Sequence, residues 1–153
     1  MTSLARTIRS RRAQRSGQTG QTIVATLMRQ LGFRCVEEIH TGMRRVGDRY
    51  VHCKRVSGDI RAVGEKGVSV LVEVKWRKKT TTLPYGALED HQRRALNAHL
   101  DAGGWTLLAW VSDYGVAVMY WGLASQHLRQ PRDSISWINA LKISYHVSTT
   151  TPG

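Results

Sequence analysis

The feature that most constrains the fold is a pair of β-rich runs on either side of a short turn. The first run begins at Asp59, the turn extends from Gly64 to Gly67, and the second run extends from Val68 to Trp76. Two glycines close together between runs of branched apolar residues are typical of a β-hairpin. The valine-rich second run is too short to cross a bilayer, so it predicts a strand in a compact sheet.

The segments around this hairpin predict further helices and strands. Ile23, Leu27 and Leu31 lie four residues apart, which predicts a helix, and Gly32 marks its end. The other predicted elements are strands over 33–40, 50–56, 105–111 and 116–121, a helix over 88–102, a short helix over 123–128, and a helix or a strand over 135–143. This order predicts an α/β fold in which a central mixed β-sheet is flanked by helices.

The length of 153 residues fits one domain. We expect a flexible basic arm over 1–17, a single domain over 18–143 and a polar tail over 144–153. The sequence has neither a long apolar stretch nor a signal peptide, which predicts a soluble cytoplasmic protein. Cys35 and Cys53 are spaced in a way that permits a disulfide, but two buried free thiols are the simpler expectation. No cysteine and histidine lie at zinc-ligand spacing.

The net charge of +12 attracts polyanions. A basic amphipathic helix is not evident, so nucleic acid is favoured over a membrane surface. The residues expected to bind DNA phosphates are Arg12 and Arg15 in the arm, Arg44, Arg45, Lys54 and Arg55 before the hairpin's second strand, and Arg77, Lys78 and Lys79 after it. As a set they predict salt-sensitive binding that is largely independent of base sequence. The alternative, for any one of them, is a solvated charge on a loop.

The hairpin carries a candidate chemical centre. Alternate residues of a strand share a face, so Glu73 and Lys75 project together, and the turn folds Asp59 back towards Glu73. Two carboxylates on one face suit a hard divalent cation, and the carbonyl of Val74 would add an oxygen ligand. Such a cation polarises a phosphate, while Lys75 would orient or deprotonate water or neutralise developing charge. The alternative is a salt bridge between Glu73 and Lys75 or Arg61 on a solvated strand.

These residues resemble the PD-(D/E)XK nuclease superfamily, and within it the RecU-type Holliday junction resolvases and related small phage nucleases. The resemblance extends from about Gly17 to Trp121. The segments that carry it are Ser57-Gly58-Asp59 at the start of a strand, Glu73-Val74-Lys75, the helix with His91-Gln92, and Gly103-Gly104 before the apolar strand 105–110.

The resemblance implies a restriction-endonuclease-like core, dependence on Mg²⁺ or Mn²⁺, and a homodimer that cuts branched or four-way junction DNA during recombination and repair in a bacterial or phage-infected cell. It implies that Asp59 and Glu73 are metal ligands and that Lys75 is the catalytic base or the phosphate stabiliser. Gln92 matches a helix glutamine near the site, or it is an ordinary exposed residue.

The sequence departs from the superfamily in its first helix. A glutamate often serves there as a further metal ligand, whereas this helix offers Gln21, which supplies no charge. We expect one metal or weaker binding. This departure also keeps open a catalytically silent DNA-binding module of the same fold, and a nuclease that degrades duplex DNA is a third interpretation. The stalk insertion of RecU-type enzymes is missing.

Overall fold

The computed structural model of the chain describes residues 19–40, 43–52 and 58–148. Its helices are α1 (residues 19–30), α2 (Asp90–Asp101), α3 (Trp121–His127) and α4 (Trp137–Lys142). Its strands are β1 (Arg34–Glu38), β2 (Met43–Val46), β3 (Arg49–His52), β4 (Ile60–Val63), β5 (Ser69–Trp76), β6 (Thr82–Pro84), β7 (Trp105–Ser112), β8 (Gly115–Tyr120), β9 (Ser134–Ser136) and β10 (Ser144–Ser148). Single 3₁₀ turns lie at Glu65–Gly67 and Tyr85–Ala87.

Six strands form the main sheet in the order β1-β4-β5-β7-β8-β10. Strands β5 and β7 are parallel, and every other neighbouring pair in this sheet is antiparallel. The predicted hairpin is β4 and β5, with the turn at Glu65–Gly67. The prediction of a mixed central β-sheet flanked by helices is therefore confirmed. The pairs β2–β3 and β6–β9 form two separate small sheets.

Each face of the main sheet has its own apolar core. On one face, Val72 and Val74 of β5 pack with the stripe of α1 that includes Val24 and Met28. On the other face, Leu71 and its neighbours pack with apolar residues of α2, α3, α4, β6 and β9. Because side chains alternate along β5, the residues of this strand that face α2 include Glu73 and Lys75. The fold thus places the candidate chemical residues on the side of the sheet that carries α2.

The polar tail predicted over 144–153 is wrong over Ser144–Ser148, because these residues form β10 and pair with β8. Tyr145 packs its ring against Phe33 and Trp105, which explains why a polar segment joins the sheet. The remainder of that tail and the basic arm over 1–17 lie outside the described residues. The undecided segment 135–143 contains both kinds of element, the end of β9 and then α4.

One further expectation, about the cysteines, is met in part. Cys35 is a free thiol, as expected, but it is exposed rather than buried, and Cys53 lies outside the described residues. Of the tryptophans, Trp110 and Trp121 are buried in the core and Trp76 packs against it. No helix in the described part of the chain has the length and apolar character needed to cross a membrane.

Candidate active site

The candidate site lies where β4 begins, beside the middle of β5. The pairing of the two strands ends at Ile60 and Val72, and the Asp59 N–H still donates to the Val72 carbonyl at 2.8 Å. Two residues further along β5, at Val74, the Asp59 side chain replaces the backbone as the partner: its Oδ2 accepts the Val74 N–H at 2.7 Å. The carboxylate thus extends the ladder past Ile60, the first residue of β4, which holds Asp59 beside Glu73.

Two glycines allow the backbone to approach closely around Asp59. Gly58 has φ +80°, and a β-carbon at that position would lie 2.4 Å from Leu71 Cδ1. Gly20 in α1 is packed against β5, and a β-carbon there would lie 2.8 Å from Trp76 Cε3. Because of the second approach, Gln21 reaches the site, and its Nε2 donates to Asp59 Oδ1 at 2.7 Å. Both oxygens of the Asp59 carboxylate therefore accept hydrogen bonds.

On the same strand, Glu73 and Lys75 form a buried ion pair. Lys75 Nζ lies 2.8 Å from Glu73 Oε1, and Glu73 is only 2% exposed. Gln92 of α2 joins both side chains: its Oε1 accepts from Lys75 Nζ at 2.9 Å and its Nε2 donates to Glu73 Oε1. The alternative of a solvated salt bridge is therefore wrong for this pair, because the structure buries it. Gln92 is not an ordinary exposed residue.

Gln92 is itself held by the start of α2. Its Oε1 accepts the backbone N–H of Glu89 at 2.9 Å, and the Glu89 side chain accepts from the backbone of Gln92, which is a capping box. The sequence analysis missed this cap, although the three-residue spacing from Glu89 to Gln92 is a signal for it. The cap orients the amide that contacts Glu73 and Lys75.

The sequence analysis also missed Arg93. Its guanidinium lies 3.4 Å from the centroid of the Tyr85 ring, Nη1 donates to the Leu88 carbonyl at 3.0 Å, and Nη2 donates to the Tyr85 carbonyl. These contacts brace the turn that leads into α2 and hence the position of Gln92. They depend on the path of an irregular turn before α2, so no sequence motif indicates them.

Burial dominates the electrostatics of the two carboxyls. Loss of hydration raises the pKa of Glu73 to about 7, and the neighbouring Asp59 carboxylate adds to the rise, while Lys75 opposes it. Burial also raises the pKa of Asp59, although the Val74 N–H, Lys75 and Gln21 counteract part of the change. The two carboxyls are close enough to interact through a side-chain hydrogen bond. One of the pair therefore readily holds a proton near neutral pH.

The oxygen donors at this point fit a hard divalent cation. Asp59 and Glu73 supply carboxylates. The carbonyl of Val74 points to the same edge of β5 as its N–H, towards Asp59, which precedes the first residue of β4. Gln21 Oε1 is buried without a hydrogen-bond partner, so it is an oxygen that a cation would satisfy. No third acidic, histidine or cysteine side chain completes a metal cluster among the residues described.

Three of the basic residues predicted to bind DNA adjoin the site. Arg77, Lys78 and Lys79 follow β5 directly and are exposed, and Lys78 Nζ lies 4.8 Å from the centroid of the Trp76 ring. Arg44 and Arg45 lie in β2, where only the backbone is described. Arg12, Arg15, Lys54 and Arg55 lie outside the described residues. The structure thus brings Gln21, Asp59, Glu73, Val74, Lys75 and Gln92 together, with the segment 77–79 beside them.

Comparison with known proteins supports the fold. No model of a protein family matches the chain, and no curated protein matches its sequence. Among solved structures, the chain is similar to Hjc of Archaeoglobus fulgidus, a Holliday junction resolvase from an archaeal hyperthermophile, with a TM-score of 0.57. The match covers 84% of this chain and 93% of the resolvase at 16% sequence identity. The chain therefore has the restriction-endonuclease-like fold of that resolvase, a mixed sheet with helices on both faces.

Proposed function

We propose that the chain is a metal-dependent endonuclease that hydrolyses phosphodiester bonds in branched DNA, four-way junctions above all. The observation that carries this proposal is the convergence of the buried Glu73 carboxyl, the half-buried Asp59 carboxyl and the Lys75 ammonium at the end of one hairpin. A purely structural ion pair does not need a second carboxyl beside it, because that carboxyl makes ionisation of the first less favourable. The fold likeness to a junction resolvase supports the substrate class.

Mg²⁺, for which Mn²⁺ would substitute, is the cofactor that the donor set suits. Asp59 and Glu73 would hold it, with the Val74 carbonyl and Gln21 Oε1 as neutral donors. The chemistry that Mg²⁺ supplies when bound is polarisation of a phosphate and activation of water. A cation beside the carboxyls would favour their ionised forms and so remove the proton that they hold near neutral pH.

Lys75 would act on the phosphate or on the attacking water. Its ammonium has three N–H donors, of which Glu73 Oε1 and Gln92 Oε1 accept two. The third can donate to a phosphate oxygen, where it would neutralise charge that grows in the transition state, or orient a water molecule. Because Gln92 contacts both Lys75 and Glu73, it would fix the direction of that donor.

The charge distribution supports DNA as the partner. The segment 77–79 presents three exposed basic side chains directly after the strand with Glu73 and Lys75, where they would contact phosphates next to the scissile bond. We also propose a homodimer in the cytoplasm of a bacterial or phage-infected cell, because a four-way junction is two-fold symmetric and paired cuts need two sites. Light scattering that finds an active monomer would reject the dimer.

A cleavage assay tests the proposal. Purified protein is incubated with a labelled four-way junction or with linear duplex of the same sequence, in Mg²⁺, Mn²⁺ or EDTA. We expect paired nicks in the junction that need the metal, persist in the control Lys142→Ala and are lost in Lys75→Ala. Lys142 is a suitable control because it is an exposed lysine in α4.

Two other outcomes would replace the proposal. Binding of the junction without cleavage in either metal would identify a catalytically silent DNA-binding module, the alternative that the neutral Gln21 favours. Equal cleavage of linear duplex and junction would identify a general duplex nuclease.

A further inference from the structure

Three aromatic rings lie in a row that begins beside Lys75 and ends in solvent. Trp110 of β7 is the sheet partner of Lys75 and is fully buried. Trp137, at the start of α4, packs edge-on against Trp110 with 5.2 Å between ring centroids. Tyr114, in the turn between β7 and β8, lies over Trp137 at 5.8 Å with 35° between the ring planes, and it is 50% exposed.

Hydrogen bonds hold this row in place. Trp110 Nε1 donates to the Arg77 carbonyl at 3.5 Å, and the backbone N–H of Trp137 donates to the Thr81 carbonyl at 2.9 Å. The Tyr114 N–H donates to Ser112 Oγ at 3.0 Å, which shapes the turn. Because this bond fixes the Tyr114 backbone and the ring packs against Trp137, the exposed ring loses little conformational entropy when a second flat ring stacks on it. The row therefore has the rigidity of a stacking platform.

The same turn is tied to the exposed basic segment 77–79. Asp113 Oδ2 accepts the backbone N–H of Lys79 at 2.8 Å, and the backbone N–H of Arg77 donates to the Val111 carbonyl at 2.9 Å. The exposed face of Tyr114 and three exposed cations are thus parts of one surface at the end of the sheet that carries Lys75. Aromatic faces beside basic side chains are the combination that binds single-stranded nucleic acid, since bases stack on the rings and phosphates contact the charges.

We propose that Tyr114, supported by Trp137, stacks on one base whose face is exposed at the branch point of the DNA, while residues 77–79 contact the phosphates that flank it. The inference depends on the proposed function, and it names the feature of the substrate that the protein recognises. The bases inside a continuous duplex are stacked on both faces, whereas stacking is interrupted at a branch point, so the contact would favour branched DNA over linear DNA. Self-association through this surface is disfavoured, because the two copies would bring the exposed cations of residues 77–79 against each other.

The test measures binding without cleavage. A four-way junction with 2-aminopurine at the branch point is titrated in EDTA, and linear duplex with the same label serves as the comparison. We expect Tyr114→Ala to weaken junction binding about tenfold, which corresponds to about 1.4 kcal/mol for the loss of one base–aromatic stack, and to abolish the quenching of 2-aminopurine. Tyr114→Phe should retain both, and the affinity for linear duplex should not change in either variant.

Tyr120→Ala is the matched control, because Tyr120 is 40% exposed and lies at the far end of β8 from Tyr114. It should bind and quench like the wild type. The inference is overturned if Tyr114→Ala binds and quenches like the wild type, if it weakens junction and duplex equally, or if light scattering shows that it changes the oligomeric state. Quenching that depends on Tyr114 in a protein that cuts nothing would support the inference and reject the proposed nuclease. Metal-dependent cleavage together with quenching that does not depend on Tyr114 would support the proposed nuclease and reject the inference.

Discussion

Folding removes the Glu73 carboxyl from water, and replacement of Glu73 by glutamine tests the cost of this burial separately from catalysis. The Glu73 side chain is 2% exposed and its pKa rises from the ordinary 4.5 to about 7. Glutamine has nearly the same shape and resembles the protonated acid: its oxygen can accept from Lys75 and Gln92, and its N–H can donate to Asp59. Glu73→Gln should therefore fit the site without the cost of burying a charge.

The size of the effect follows from the pKa. A rise from 4.5 to about 7 corresponds to about 3 kcal/mol, at about 1.4 kcal/mol for each tenfold change in the ionisation equilibrium. Because the folded pKa is the higher one, the folded state binds the proton more tightly than the unfolded state. The stabilisation from the protonated form is complete below the unfolded pKa of 4.5, and it is lost as the pH rises through about 7. Glutamine does not titrate and avoids this loss.

The assay is denaturant unfolding of the metal-free protein in EDTA. At about pH 8 we expect the free energy of unfolding of Glu73→Gln to exceed that of the wild type by about 3 kcal/mol, with an unchanged m-value, and at about pH 4 we expect the two to be nearly equal. Glu65→Gln, an exposed change in the turn between β4 and β5, should match the wild type at both pH values. A variant that is no more stable than the wild type at about pH 8 would refute the claim that burying ionised Glu73 is costly.

Three further predictions concern the metal, the backbone and the DNA. Gln21→Glu should destabilise the metal-free protein, because the new carboxylate is repelled by Asp59, yet it should raise the affinity for Mg²⁺ on the order of tenfold. The Mg²⁺ dependence of the melting temperature measures this affinity, and an unchanged affinity would contradict the prediction. Gly58→Ala should lower the free energy of unfolding by about 1–3 kcal/mol or more, because alanine at φ +80° is strained and its β-carbon overlaps Leu71. A denaturant midpoint equal to that of the wild type would refute the packing argument. Neutralising all three basic residues of 77–79 should lower the slope of log K against log salt for duplex binding by about 2–3, and an unchanged slope would show that they do not contact phosphates.

Local patterns predict much of this fold. The hairpin, the helix that Gly32 ends, and the strands on either side of the turn at residues 113–115 all follow from periodicity and turn residues. Ser144–Ser148 escape such a prediction, because a short, largely polar strand is stabilised by its pairing with β8 and by the packing of Tyr145. The segment 135–143 was ambiguous because the apolar spacing of so short a stretch fits both a strand and a helix.

In the candidate site, too, some features follow from the sequence and others depend on the tertiary structure. Strand alternation alone places Glu73 and Lys75 on one face, and the length of the hairpin brings Asp59 back towards them. Sequence cannot tell whether such a pair is solvated or buried, and that difference raises the pKa of Glu73. It also gives no sign that Arg93 braces the turn before α2, because that contact depends on the path of an irregular turn. Nor does it show that Tyr114 lies over Trp137, because that contact joins distant segments.

The amino-acid sequence by itself determined the class of fold, the hairpin and the identity of the acidic and basic residues, because periodicity, turn chemistry and charge are local properties of the chain. Only the tertiary structure decided how close α1 and α2 come to β5, which oxygens remain without a partner and which charges lose their water. These properties depend on how distant segments pack, and they determine the electrostatics of Asp59, Glu73 and Lys75.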